Sequence, residues 1–338
     1  MSDPASDVGG MIRAGAWVAA GAVPIAVACG LWVRAKSGTL CPRWRPPRFV
    51  WPGPAIFALF VLALFVPPFL VPIVDTGGLF QILYPQGFPA LPPPATEEDI
   101  RGVTGFLKAK WVQTLALPFI LAVAVLLRKY AFRAAIDWVQ ELRNLPRSVA
   151  FGTLVFLAFG IATFAVNAGV DWASRQMGFT PDEHQLSKLG RDGDGFGGVF
   201  FVLSACVVAP VLEEFTFRGL LVPWAGGRRY RPWLLMAWAS VVVVLVTRQP
   251  VIPLVFVAVL AAAQPLVRWP GRRTGQAIWS SSALFAAMHS AVWPSPIPLF
   301  VLALGLGYLT ARTRSWLPAA IAHGLFNLVS TLFVFSRG

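Results

Sequence analysis

The sequence predicts an all-α protein, a polytopic bundle of about eight to ten transmembrane helices. Three observations carry this. Apolar residues make up 57% of the 338 and charged residues only 13%, roughly half the charged share of a soluble domain, and mean hydropathy is +0.67. The apolar residues fall in runs broken by short basic or Pro/Gly-rich connections. Fourteen Trp and 26 Phe suit helices that face lipid and end in aromatic belts.

The runs follow in order. The first, 15–33, comes after Asp3 and Asp7 rather than a basic segment, so it reads as a retained helix and not a cleaved signal. Further runs lie at 51–74, 111–127, 148–170, 197–221, 233–247, 251–267, 276–293, 299–311 and 317–335. Several are shorter than the roughly 20 residues of a straight span. The pair at 233–247 and 251–267 is parted only by Thr247-Arg248-Gln249-Pro250, so it reads as two spans or one hairpin. Phe132, Ala135, Ile136, Val139 and Leu142 share one face of 132–143, which reads either as an amphipathic surface helix or as an extension of the span before it. Residues 81–94 are rich in Pro and Gly and read as irregular. The run 191–198 lacks the later acid of a calcium loop, and His184 sits among polar loop residues.

Charge sets orientation. Arg34, Lys36, Arg43, Arg45 and Arg48 fill one loop. Arg228, Arg229 and Arg231 fill another, and Arg268, Arg272 and Arg273 a third. The alternate loops are more acidic or nearly bare. Ten spans with an external N-terminus put every basic loop inside. A net charge of +13 spread this way excludes a nucleic-acid partner, since no basic block is interleaved with aromatics. Cys29, Cys41 and Cys206 form no metal-ligand spacing or disulfide framework.

The chemistry lies in the later runs. Glu213, Glu214 and Arg218 interrupt an apolar stretch. One charge at the centre of a membrane helix costs roughly 2.5–3.5 kcal/mol on insertion scales, so these belong in a protein interior or wet cavity. Glu214 and Arg218 are four apart with the acid first, the favourable order for an ion pair on one helix face. Glu213 is then the surplus carboxylate, pointing about 100° away around the helix, and it suits a general base. His289 and His323 lie in subsequent apolar runs, with Phe285 one turn before His289. His323 and Asn327 are four apart, two hydrogen-bond donors on one face that suit an oxyanion. Counting residues from the basic loops places all three acid and imidazole groups in the inner half of the bilayer. A lone Glu pair is more often solvated, and a lone buried His more often a core residue; the combination is what points to a site.

Glu213-Glu214-Phe-Thr-Phe-Arg218, Phe285-Ala-Ala-Met-His289 and His323-Gly-Leu-Phe-Asn327 resemble the EExxxR, FxxxH and HxxxN/D motifs of the CPBP intramembrane metalloprotease-like proteins, also called the CAAX prenyl endopeptidase or Abi family. The resemblance spans about residues 196–335. It implies two parts, an N-terminal transmembrane extension over 1–195 and a catalytic core over 196–338. It further implies an intramembrane endopeptidase open to the cytoplasm, in a bacterial inner membrane, acting on a membrane protein or lipidated peptide. Carried over by motif position, Glu213 and His289 would activate a water, while His323 and Asn327 would hold the oxyanion. No cofactor is expected. In the zinc alternative, Glu213, His289 and His323 would be the ligands. Other readings are a passive membrane scaffold, a bacteriocin-immunity protein, or an ion or proton transporter using the same buried Glu and His.

Overall fold

The structure, a computed structural model, describes residues 4–37, 53–64, 66–76, 78–83, 107–118, 144–178, 202–268 and 271–335, with isolated residues at 97, 104–105, 120 and 122. The regular elements among the described residues are all helices. They are α1 (Pro4–Ser37), α2 (Gly53–Leu64), α3 (107–118), α4 (Leu145–Gln176), α5 (202–226), α6 (Arg231–Val246), α7 (Val251–Ala263), α8 (Arg272–Ala287), α9 (Pro296–Thr313) and α10 (Leu317–Phe335), with short helices Val66–Thr76 and Leu79–Leu83 between α2 and α3. The expectations for 132–143, for His184, for 191–198, for Cys41 and for 84–94 lie outside the described residues, while residues 81–83, expected to be irregular, close the short helix Leu79–Leu83.

The fold is an all-α membrane helix bundle. Among the described residues, three helices are long and apolar enough to cross a bilayer, namely Ile12–Trp32, Leu145–Gln176 and Pro296–Thr313. Shorter apolar helices cover Arg231–Val246, Val251–Leu266 and Leu317–Phe333. Trp17 is 77% exposed, Leu245 69% and Val251 71%. Apolar surface on this scale is what lipid, rather than water, would cover.

The run read as 276–293 behaves differently. Its helix, α8, stops at Ala287, and eleven of its sixteen residues are buried. Small side chains, including Ser280, Ser281 and Ser282, let its neighbours close around it on every side. The Trp279 Nε1 donates to the Leu260 carbonyl at 2.8 Å and ties α8 to α7. Thr247-Arg248-Gln249-Pro250 is the turn of a helical hairpin, α6 to α7.

Close packing positions α10. A Cβ added at Gly324 would lie 2.5 Å from the Cys206 carbonyl oxygen of α5. One added at Gly152 of α4 would lie 2.7 Å from the Pro318 carbonyl oxygen. Backbone meets backbone at both points, so only glycine fits. At the start of α10 the Leu317 N–H donates to the Ser315 Oγ at 3.3 Å, the geometry of a helix cap.

The early helices are part of the same core. Ile56 and Phe60 of α2 join Phe215, Phe217, Phe285 and Trp316 in one cluster. Ala14 and Val18 of α1 join Phe156, Leu306 and Val329 in another. Ala116 and Leu117 of α3 pack with Ile120 and Leu212, so α3 lies beside α5 next to the paired glutamates.

Candidate active site

α5 is not a uniform α-helix. Its residues Ser204–Val208 and Phe215–Leu221 form wide π-type turns with i→i+5 bonding. The second of these starts immediately after Glu214 and carries Arg218. Such turns widen a helix locally and recur at functional sites.

Glu214 is fully buried and Arg218 is 1% exposed. The Arg218 Nη1 donates to the Glu214 Oε1 at 3.0 Å, and its Nη2 donates to the Ala303 carbonyl of α9 at 3.2 Å. The guanidinium lies 4.8 Å from the Phe285 ring centroid and 5.6 Å from that of Phe217. The cation is thus held by a carboxylate, a carbonyl and two aromatic rings.

Glu214 has a second partner. The His323 Nδ1 bonds the same Oε1 at 2.9 Å. A carboxylate there accepts, so Nδ1 carries the proton, and the ring's Nε2 is left for other work. His289 is fixed in the same way from the other side: its Nδ1 donates to the Phe285 carbonyl at 2.9 Å, again leaving Nε2. Phe285 stands between the imidazoles, with centroids 4.9 Å from His289 and 5.6 Å from His323.

Glu213 is half-buried. It interacts electrostatically with His289 and with Arg218. His289 also feels His323. Asn327 lies one turn beyond His323, and its Nδ2 donates to the Ala205 carbonyl at 2.8 Å. That nitrogen carries two hydrogens, so one remains. The structure therefore gathers Glu213, Glu214, Arg218, His289 and His323 around Phe285, with Asn327 nearer the start of α5.

Two features differ from the sequence expectations or go beyond them. His289 lies past the end of α8, in the turn 288–295, where its backbone N–H bonds the Ala286 carbonyl at 2.9 Å. His323 is joined to the ion pair, not to Glu213.

Lys110 of α3 was not read from sequence. Its ammonium donates to Gln113 Oε1 at 3.1 Å, and it interacts electrostatically with Glu213 and His289. The only sequence signal is a lysine just inside the start of an apolar run. Thr114, one turn on, reaches Ser204 of α5, with oxygens 3.5 Å apart.

Among the described residues, no three His, Cys, Asp or Glu side chains form a group able to hold a metal ion. No step below passes through a metal.

Residues 195–329 match the family described as type II CAAX prenyl endopeptidase Rce1-like. The resemblance carried by the three motifs is therefore found again over the same stretch. The match supports a protease of the CAAX type, and with the apolar helices an integral membrane protein. No curated protein and no solved structure matches the chain.

Proposed function

We propose that this protein is an intramembrane endopeptidase in which Glu213 and His289 activate a water molecule. The observation that carries the reading is a half-buried surplus carboxylate, Glu213, within electrostatic reach of the His289 imidazole, whose Nδ1 is already committed to a carbonyl. A water bound between Glu213 and the His289 Nε2 gives up a proton to this pair as its oxygen bonds the peptide carbonyl carbon. The carbonyl oxygen becomes an oxyanion beside the remaining Asn327 N–H and the His323 ring. The carbon–nitrogen bond then breaks, the stored proton passes to the leaving amine, and a carboxyl and an amine terminus result. Glu214 and Arg218 hold His323 and the shape of α5.

In this reading residues 196–338 form the catalytic core, and 1–195 an extension whose α3 brings Lys110 to the site. The substrate is a membrane protein or a lipidated peptide that reaches the site within the bilayer. The test compares peptide termini in membranes of cells carrying wild-type protein and Glu213→Gln, with and without a strong chelator. New termini present with wild type in both conditions, and absent with the variant, are expected. Equal termini in both strains would leave the scaffold or immunity reading. Loss of cleavage only in chelator would restore the zinc version.

The same proposal includes a bacterial inner membrane and access from the cytoplasm, as the family resemblance implies. The arginine turns at 226–231 and 268–275 favour the cytoplasm too. A reporter inserted at 268–275 that is active only outside the cell is expected to be silent, and activity there would reject this topology.

A further inference from the structure

A second concavity lies behind the wall of the site. It is a groove of about 550 Å³ between α2 and α6, closed at its base by α5 and α8. Phe57, Phe60, Leu234, Trp238 and Leu284 line its apolar length. Phe57 is 40% exposed and Leu234 43%, so the groove opens toward the lipid side. Leu284, at 1%, closes the deep end one residue before Phe285.

The mouth is different in character. Trp224, Tyr230 and Arg231 frame it. The Arg231 Nη1 donates to the Trp224 carbonyl at 2.9 Å, and its guanidinium lies 5.0 Å from the Trp224 ring centroid. These contacts fix the cation in place without neutralising it. Arg228 and Arg229 stand exposed three and two residues earlier in the chain. Among the described residues none of the three arginines makes an ion pair, and the buried Arg231 Nε and Trp224 Nε1 have no acceptor. An apolar slot of this kind, with the Arg231 cation and amphipathic Trp and Tyr rings at its mouth and two exposed arginines within three residues along the chain, complements a molecule with a fatty chain and an anionic head.

We propose that this groove binds an anionic phospholipid, with one acyl chain between α2 and α6 and the headgroup phosphate on Arg228, Arg229 and Arg231. The lipid packs against Phe60, whose ring meets that of Phe217 edge to face at 5.7 Å. The site is separate from the one that cleaves, and it stands whether or not the peptidase reading does.

The full chain, reconstituted in phosphatidylcholine vesicles, is labelled with a phosphatidylglycerol carrying a photoreactive acyl chain, and the adducts are mapped by mass spectrometry. Adducts on the Phe57 and Leu234–Trp238 segments are expected. Two substitutions separate head from chain. Arg228→Gln with Arg229→Gln removes charge from exposed positions and is expected to lower labelling roughly 10–30-fold. Leu234→Trp narrows the mouth without altering charge and is expected to lower it as well. Equal labelling by a phosphatidylcholine probe with the same chain would overturn the proposal. So would adducts confined to other helices. Displacement of the probe by stoichiometric prenylated peptide would also overturn it, and would assign the groove to substrate.

Discussion

Replacing Arg218 with Ala is expected to destabilise the folded protein by about 3–5 kcal/mol. The reason is what remains behind. Glu214 is fully buried, and its Oε2 already lacks a partner among the described residues. Without Arg218, its Oε1 keeps only His323 among the partners seen here. The Ala303 carbonyl of α9 also loses its donor, and the Phe217 and Phe285 rings lose the cation between them. Against a typical total of about 5–15 kcal/mol this is a large fraction. Thermal unfolding in detergent measures it. Arg218→Lys keeps the charge but not the planar two-ended donor, so an intermediate loss is expected. Combining Arg218→Met with Glu214→Gln removes both charges and is expected to recover part of the loss. An Arg218→Ala protein that unfolds at the wild-type temperature would show that the pair does not anchor α5.

Glu213→Gln is expected to lower the rate of peptide cleavage by roughly 10²–10⁴-fold while leaving unfolding unchanged. The carboxylate is half-buried and stands apart from the hydrogen bonds that tie Glu214, Arg218 and His323 together, so its loss costs proton transfer and not packing. His289→Ala is expected to fall in the same range. The double variant should be scarcely worse than either single one, because two groups that share one water act as a unit. Lys110→Met removes the field of its ammonium at that pair together with the bond to Gln113, and a loss on the order of tenfold is expected. Single-turnover cleavage of one reconstituted substrate ranks all four. Losses for Glu213→Gln and His289→Ala that multiply in the double variant would mean that they serve separate steps. A Glu213→Gln enzyme with full activity would remove the water-activation scheme altogether.

The sequence disclosed the class of fold and the residues of interest for one energetic reason. Glu213, Glu214, Arg218, His289 and His323 sit in apolar runs where ionisable groups are costly, so each one stands out. The i,i+4 spacing of Glu214 and Arg218 could be read because a helix turns its side chains on a fixed period. What the sequence withheld depends on contacts between distant parts of the chain. Nothing local to His323 says that Glu214, 109 residues earlier, takes its Nδ1. Nothing near Phe285 says that it separates two imidazoles and supports a guanidinium. The end of α8 was hidden because Met288, Ala291, Val292 and Trp293 carry the apolar run on to Pro294, although the chain leaves the helix at Ala287. Lys110 was hidden because α3 approaches α5 only through the tertiary arrangement of both.

The meeting of Gly324 with the Cys206 carbonyl has a consequence for how firmly the site is held. Rigid main-chain surfaces touch there with no compliant side chain between them, so α5 and α10 slide past one another only at a steep steric cost. Gly152 clamps α10 from its other flank against Pro318. The helices bearing the paired glutamates, His323 and Asn327 thus work as one stiff frame. Contacts such as Phe57 of α2 on Trp238 of α6, ring against ring at 4.5 Å, yield by a change of rotamer, so compliance lies away from the frame that carries the acid and imidazole groups.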